Sequence, residues 1–549
     1  MIRSAFLLVA LASTSVIHNG DRTAPRFLDD DPLQREPESQ DASGVEERDI
    51  DVEADLVVNL FTRPGDDTPN VRAQNVNSID EVPDSSWFTN RIYARPLTIE
   101  ELRRGPNTIA GPAPGRWTVI RPKTSGAAPG FTVRDEAGEV WFLSFDTEEH
   151  PNAATGAIAV ATRIFWALGY NQVESYLARV QREDLVVAPD AEIKTRSGMR
   201  RMKMSDVDDV LGKAARGEDG SYRVLAGRAL PGKVIGPFRY HGTRPDDPND
   251  VVPHEHRREL RALKVFGAWT NLVDLKANNT LDTLVAENGR GVVRHYLQDV
   301  GSGFGSGALG PHQWDEGYEY LFEGDKLLKR LVSFGFYIRP WQTVDYPDLP
   351  EAGRFEAEVF DPDSWRPRVP MGAFLRVRDD DNFWAALRVM AFTDDQIRAV
   401  VREGRYGNEE AEEWMGNVLI ERRDKIGRTY LTRINPLVAF SLDASGTLRF
   451  ENAATKAGFA SPPARGYRAD WYRFDNATGM SQALGQATSE EGEGIRAPAA
   501  LPGDATFIRV AVSAVEPPHP SWTVPVDAYF RRSPEGWKLV GLERLPSPP

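Results

Sequence analysis

The chain has 549 residues, of which 41% are hydrophobic and 13 are Trp, a globular composition with enough length for about two to four domains. Its 66 basic residues against 81 acidic ones give a formal charge of -15, which disfavours nucleic acid and anionic membrane as partners of the whole surface and leaves room only for a local basic patch. It contains no cysteine, so neither a disulfide framework nor a lipid-anchored cysteine can form.

Residues 1–20, MIRSAFLLVALASTSVIHNG, have one Arg, an apolar run of about ten residues and then small polar residues. That is the pattern of a signal peptide, because a membrane span needs about twenty apolar residues. The expectation is export, periplasmic or secreted, with a cytoplasmic protein as the alternative. No transmembrane segment is expected after it. Residues 21–77, rich in Asp, Glu, Pro and Arg, read as a disordered acidic linker holding one short strand at 55–61. A short helix follows, with Thr98 as cap and Glu101 as its capping-box partner.

Strands are predicted over 116–121, 131–134 and 139–145, with the Gly-rich turn TSGAAPG (124–130) between the first two. Gly126 and Gly130 there let backbone N–H groups approach phosphate oxygens, although a plain hairpin loop fits the same residues. An apolar helix over 152–170 and a strand over 173–180 come next. Residues 181–252 read as an insertion with a charged helix near 205–215, a strand at 222–226 and a Pro- and Asp-loaded loop. After Pro253 a helix runs to about Asn271, with Leu260, Leu263, Phe266 and Trp269 as its buried stripe. HEH at 254–256 has alternating spacing unsuited to a two-histidine zinc face and reads as solvated residues at the helix start. Further helices are predicted near 325–333, 381–392, 393–403 and 409–422, the acidic run 409–413 being an exposed face. From about 429 short alternating strands such as TLRFEN and ATFIRVAVSAV predict a β-sandwich-like domain.

The chemistry concentrates in residues 271–307, NLVDLKANNTLDTLVAENGRGVVRHYLQDVGSGFGSG. Apolar runs at 280–286 and 292–298 flank Asn288-Gly289, the strongest short-range signal for a tight hairpin. With those two as the turn, Glu287 faces Arg290, and Asn279 falls opposite Gln298 and beside Asp299. Opposed residues in such a ladder lie roughly 5 Å apart, so an amide oxygen and a carboxylate can share one cation. Asp274 and Lys276 lie just upstream. A carboxylate to take a hydroxyl proton, a lysine to neutralise a moving phosphoryl group, and an Asn and an Asp for magnesium are what phosphoryl transfer requires. GSGFGSG at 301–307 has neither a βαβ unit around it nor a Gly-Lys-Ser/Thr ending, and reads as a mobile, activation-segment-like loop.

DLKANN (274–279) matches the D-L-K-x-x-N catalytic loop of protein kinases, and DVG (299–301) stands where those enzymes carry D-F-G. In these blocks the chain resembles the protein-kinase-like superfamily, the atypical bacterial HipA-like and CotH-like kinases more than eukaryotic ones. The resemblance implies an α+β fold with a bilobal core: an antiparallel-sheet N-lobe at 78–252, a helical C-lobe with the catalytic-loop hairpin at 253–428, and then the all-β domain at 429–549. It implies ATP and magnesium as cofactors, Asp274 and Lys276 as catalytic residues, Asn279 and Asp299 as metal ligands, and Gly126 and Gly130 beside the phosphates. The chain departs from the pattern at Ser144, where the third strand should carry a phosphate-pairing lysine, at Ile158, where its glutamate partner should sit, and at Leu272-Val273, in place of His-Arg. Lys123 is the expected substitute for the lysine. The function implied is an ATP- and Mg-dependent phosphotransferase acting on a hydroxyl of a protein or small molecule. The alternative is an exported pseudokinase or scaffold that binds nucleotide weakly or not at all, with a cell-envelope ligand for its β-domain; a central domain unrelated to kinases is a third.

Overall fold

A computed structural model describes residues 25–32, 38–123, 126–323, 339–489 and 494–545. The expected signal at 1–20 and the expected helix at 325–333 lie outside them. The strand expected at 55–61 is instead part of a helix, α1 (Val52–Phe61). Asp51 caps it by accepting the Ala54 N–H at 2.9 Å, and Glu53 and Asp55 place negative charge at its positive end. Residues 38–77 are not a solvated linker either. Ala42 and Val45 pack with Ile235 and Val293 in a small core, and the acidic residues that imitate a linker are paired, Asp55 with Arg239 and Asp66 with His256. The helix α2 (Ile99–Arg104) carries the expected Thr98–Glu101 capping box.

The upper lobe begins with a meander, β1 (Trp117–Pro122), β2 (Gly130–Arg134) and β3 (Val140–Phe145). The helix α3 (Ala153–Leu168) crosses to β4 (Ser175–Val180), and an edge strand β5 (Leu185–Val187) runs parallel to β1. The hairpin of β6 (Glu192–Thr195) and β7 (Gly198–Arg201) precedes α4 (Met204–Leu211) and β8 (Tyr222–Arg228). The sheet order is β4-β8-β3-β2-β1-β5, so β8 lies between β3 and β4. Residues 181–252 are therefore not an appendage. They supply an interior strand, and the β1–β5 pair makes the sheet mixed where an antiparallel one was expected.

Next comes β9 (Lys233–Gly236), which leaves that lobe and pairs with the hairpin of β10 (Thr280–Glu287) and β11 (Arg290–Leu297). A boundary at 252 thus falls after a strand that already belongs to the lower lobe. The helix α5 (Arg258–Thr270) buries the expected stripe of Leu260, Leu263, Phe266 and Trp269, and its Arg258 and Arg261 are buried as well. Arg258 Nε and Arg261 Nη1 each donate at 3.0 Å to the two carboxylate oxygens of Asp381, in the helix Asp379–Val389. Arg258 also pairs with Asp80 at 2.9 Å and Asp380 at 3.3 Å. Burial alone would lower the Arg258 pKa, and these carboxylates outweigh it, so the guanidinium stays charged. The HEH residues are buried too, not solvated: His254 bonds Asp250 at 2.8 Å, His256 bonds Asp66 at 2.9 Å, and Glu255 accepts the Gly242 N–H at 2.7 Å.

Helices Asp394–Arg402 and Glu409–Leu431 complete the lower lobe. The C-terminal strands β12 (Leu437–Leu442), β13 (Thr447–Asn452), β14 (Tyr467–Phe474), β15 (Ser481–Ser489), β16 (Gly494–Arg496), β17 (Phe507–Ala514), β18 (Val526–Ser533) and β19 (Gly536–Glu543) form one antiparallel sheet. Its order is β15-β14-β17-β18-β19-β12-β13-β16, and its two end strands, β15 and β16, lie against each other. It is a nearly closed barrel, where a sandwich was expected: period-two alternation gives each strand one buried face whether one sheet curls or two sheets stack. Phe440, Leu448 and Trp522 share one buried cluster with Trp269 and Trp384, so the barrel and the helical lobe form a continuous core. No described helix is long and apolar enough to cross a membrane.

Replacing Asp381 with Ala leaves two buried guanidinium groups short of a carboxylate. We expect it to destabilise the lower lobe by about 3–5 kcal/mol, read from the denaturant midpoint of its unfolding.

Candidate functional site

At the end of α5, Asn271 takes the left-handed conformation (φ 51°, ψ 38°) and its N–H closes on the Gly267 carbonyl. The chain turns sharply there, and its side chains then alternate. Leu272, Val273, Leu275 and Ala277 are buried, while Asp274 and Lys276 keep about a third of their side-chain surface (32% and 31%) in solvent. Lys276 Nζ lies 2.9 Å from Asp274 Oδ1. After a single 3-10 turn, Ala277–Asn279, the Asn279 amide donates to the Asp274 carbonyl at 2.6 Å. The Asn279 carbonyl in turn accepts the N–H groups of Gln298 and Asp299 at 3.0 and 3.1 Å.

That last contact follows from the hairpin. Pairing runs from Glu287↔Arg290 at the turn to Thr280↔Leu297, with Asn288 (φ 51°) and Gly289 (φ 77°) as the turn residues, the register expected from the sequence. Asp299 Oδ1 accepts the Gly301 N–H at 2.9 Å. Among the described residues, the Asn279 amide oxygen and the second Asp299 carboxylate oxygen accept no hydrogen bond. Two hard oxygen donors, one just before β10 and one just after β11, are of the kind that Mg²⁺ takes, its shell being completed by water and phosphate oxygens. Among the described residues, no group of three or more His, Cys, Asp and Glu side chains forms a fuller cage.

The upper lobe contributes Lys123, at the end of β1. Its ammonium donates to Ser144 Oγ on β3 at 3.1 Å, so the expected substitute lysine meets the serine at the position it would replace. Burial lowers the Lys123 pKa, and the Asp299 carboxylate is the charge that opposes this. Gly126 and Gly130 lie along this lysine. A Cβ on Gly130 would run into the Leu143 carbonyl and come within 3.2 Å of Lys123 Cδ, so the strand start admits only glycine. Thr124 and Ser125 of the same turn are outside the described residues. Ile158 of α3 faces the turn at 299–301: a Cβ on Gly301 would sit 2.7 Å from Ile158 Cγ1 and 3.2 Å from Asp299 Oδ1. Among the described residues no carboxylate pairs directly with Lys123.

Sequence reasoning missed a group that gathers behind Asp274. The Ser302 carbonyl accepts the Val273 N–H at 3.1 Å, and Ser302 Oγ meets His312 Nε2 at 3.1 Å. Burial pulls the His312 pKa down to about 4, against the field of Asp274, so this imidazole is neutral at pH 7. Arg368 donates its N–H to the Val273 carbonyl at 2.9 Å, and its guanidinium pairs with Asp315 at 3.1 Å and Glu316 at 3.4 Å. The backbone of Arg368 thus supports the loop from far along the chain. Burial, with added repulsion from Asp315 and Asp274, raises the Glu316 pKa, and burial followed by Asp274 raises that of the Tyr240 phenol. These residues sit in segments with no periodicity, so no pattern marks them.

One further expectation changes. The Gly run is packed: Phe304 is fully buried, and its N–H bonds the Thr270 carbonyl at 2.6 Å. A cavity of about 790 Å³, lined by Tyr318, Tyr320, Trp341, Trp365 and Arg366, touches none of Asp274, Lys276, Asn279 and Asp299.

No protein-family model matches this chain, and no curated protein does. Among solved structures it is similar to the Golgi casein kinase with Mn and ADP bound, at 10% identity and a TM-score of 0.28 over 60% of this chain and 75% of that one. A second structure of the Golgi casein kinase gives 10% identity and a TM-score of 0.26 over 60% and 74%. The likeness is partial, and the site stands on its own geometry.

Gly301→Ala drives a methyl group against Ile158 and the Asp299 carboxylate. The expected cost is about 1–3 kcal/mol in thermal unfolding, with partial recovery in the Gly301→Ala/Ile158→Ala double variant.

Proposed function

We propose that this protein is a phosphotransferase that uses ATP and Mg²⁺ to phosphorylate a hydroxyl group of a protein or small molecule. The observation that carries this reading is the Asp274–Asn279–Asp299 constellation, in which one Asn side chain bonds the base-bearing residue while its backbone holds the metal-bearing one. In the transfer, the acceptor oxygen bonds the γ-phosphorus, the bond from that phosphorus to the bridging oxygen breaks, and ADP leaves. Asp274 takes the acceptor proton. Lys276, already 2.9 Å from Asp274, offsets negative charge where oxygen, phosphorus and carboxylate converge. Asn279 and Asp299 would hold the magnesium, whose chemistry is to neutralise phosphate charge. Lys123 would exchange its Ser144 hydroxyl for a phosphate oxygen, a charge-assisted and stronger bond.

One observation favours a second reading. Where a carboxylate from α3 would orient Lys123, Ile158 closes on Gly301, which fits a pseudokinase that binds nucleotide without turnover. The two readings separate by experiment. ATP with Mg²⁺ at a hundredfold excess over its Kd should stabilise the protein by about 2.7 kcal/mol, seen as a rise in Tm, and Asp299→Ala should remove the magnesium-dependent part. Absence of any shift in the parent protein would end the phosphotransferase reading and leave a scaffold that binds no nucleotide. Asp274→Ala should preserve the shift and lower autophosphorylation or phosphate release about 10²–10⁴-fold; a parent protein with the shift and no turnover is the pseudokinase.

A further inference from the structure

The upper lobe carries an arm that the catalytic reading does not use. The chain as a whole is acidic, yet residues 192–203, EIKTRSGMRRMK, hold Lys194, Arg196, Arg200, Arg201 and Lys203 against a single acid, Glu192. They form the β6–β7 hairpin and the step into α4. Every residue of β7 is exposed, as are Lys194 and Arg196. The arm is anchored rather than loose: its two ends, Ala191 and Met202, are buried in the upper-lobe core and joined by a 2.8 Å hydrogen bond from the Met202 N–H to the Ala191 carbonyl. Thr195 Oγ1 closes the turn on the Gly198 carbonyl at 2.8 Å.

Not all of its charge is neutralised within the protein. Arg200 pairs with Asp206 at 2.6 Å and Arg201 with Glu192 at 3.7 Å. Among the described residues Lys194 and Arg196 have no acidic partner, and Lys203 has near it only the Asp206 carboxylate that Arg200 already holds. Met199, 61% exposed, is the cross-strand partner of Lys194, so an apolar side chain and an unpaired cation share one face of the ribbon. None of Lys194, Arg196, Met199 and Lys203 lines the 790 Å³ cavity.

We propose that the β6–β7 hairpin docks the protein on an anionic lipid surface, with Lys194, Arg196 and Lys203 among the headgroups and Met199 at the boundary with the acyl chains. Unpaired cations around an apolar tip match the two layers of such a surface, and the match needs no shaped groove. A net negative charge on the rest of the protein confines contact to this arm. Topology gives the arm a consequence. Strand β5 runs parallel to β1, and the Ala188 N–H bonds the Val119 carbonyl at 2.9 Å, so the chain leaves the sheet toward the end where β1 delivers Lys123. A docked arm holds the Lys123–Gly130 side of the upper lobe toward the surface. This inference does not rest on phosphoryl transfer, because its measurements contain no nucleotide.

The test is co-sedimentation of the full chain with phosphatidylcholine vesicles, with and without about 30 mol% phosphatidylglycerol. Binding to the anionic vesicles alone is expected, weakening steeply by about 0.5 M salt. Lys194→Gln/Arg196→Gln/Lys203→Gln should weaken it about a hundredfold, at roughly fivefold for each charge removed. Because the chain has no cysteine, Met199→Cys gives a unique thiol for an environment-sensitive dye, whose emission should shift to the blue on anionic vesicles and not on neutral ones. This readout uses an otherwise unchanged arm and so stands if the triple variant folds poorly. Equal binding by a folded triple variant, no binding to anionic vesicles, or an unshifted dye would overturn the proposal. Capture of poly-glutamate without capture of vesicles would overturn it in favour of an acidic polypeptide.

Discussion

Two guanidinium groups on one buried helix hold the lower lobe in place. Arg258 and Arg261 of α5 share the carboxylate of Asp381, and Arg258 reaches Asp80 and Asp380 as well, all with little or no contact with water. Burying such charges is costly, and the cost is tolerable only because each planar guanidinium meets several carboxylate or carbonyl oxygens. The arrangement is also demanding in geometry. It ties α5 to the helix Asp379–Val389 and to the segment around Asp80, so the axis of α5, and with it the direction in which the chain emerges, has little freedom.

What emerges is the site. Asn271 ends α5 in the one conformation that turns the chain at once, and the buried residues Leu272, Val273, Leu275 and Ala277 fix which side chains face the cleft. Ser302, His312 and Arg368 then brace the same loop from behind, through the backbone of Val273. Lys123 approaches from a different lobe, across from Asp299, with Ser144 as its resting partner. The lower lobe is thus built around the proposed base and metal ligands. The upper lobe brings Lys123 against Ser144 of β3 and Ile158 of α3 against Gly301.

Local signals in the chain were readable where one physical rule acts over a few residues. Asn288-Gly289 between two apolar runs set the hairpin register, and the register placed Asn279 beside Asp299. Thr98 and Glu101 announced a capped helix, and the three-residue spacing from Leu260 to Trp269 announced α5. Readings from composition failed where partners come from far away. Residues 38–77 look like a linker because acidic residues are usually solvated, yet Asp55 and Asp66 find Arg239 and His256. His254 and His256 look like surface residues, yet Asp250 and Asp66 bury them. In α1, a run of β-prone residues yielded to the Asp51 cap and the acidic first turn.

By itself, then, the sequence determined the α+β class, most of the helices and strands, and the pairing that joins Asn279 to Asp299, because caps, turn residues and apolar periodicity act between near neighbours. Only the tertiary structure decided that β8 enters the upper sheet, that β9 joins the β10–β11 hairpin, and that the C-terminal strands curl into a nearly closed barrel. It also decided that Lys123 meets Ser144, that Ile158 meets Gly301, and that His312 and Arg368 support Asp274. The reason is the same in each case. Strand order and long-range polar contacts are set by which surfaces pack together, and alternation along a strand is identical whichever partner lies beside it.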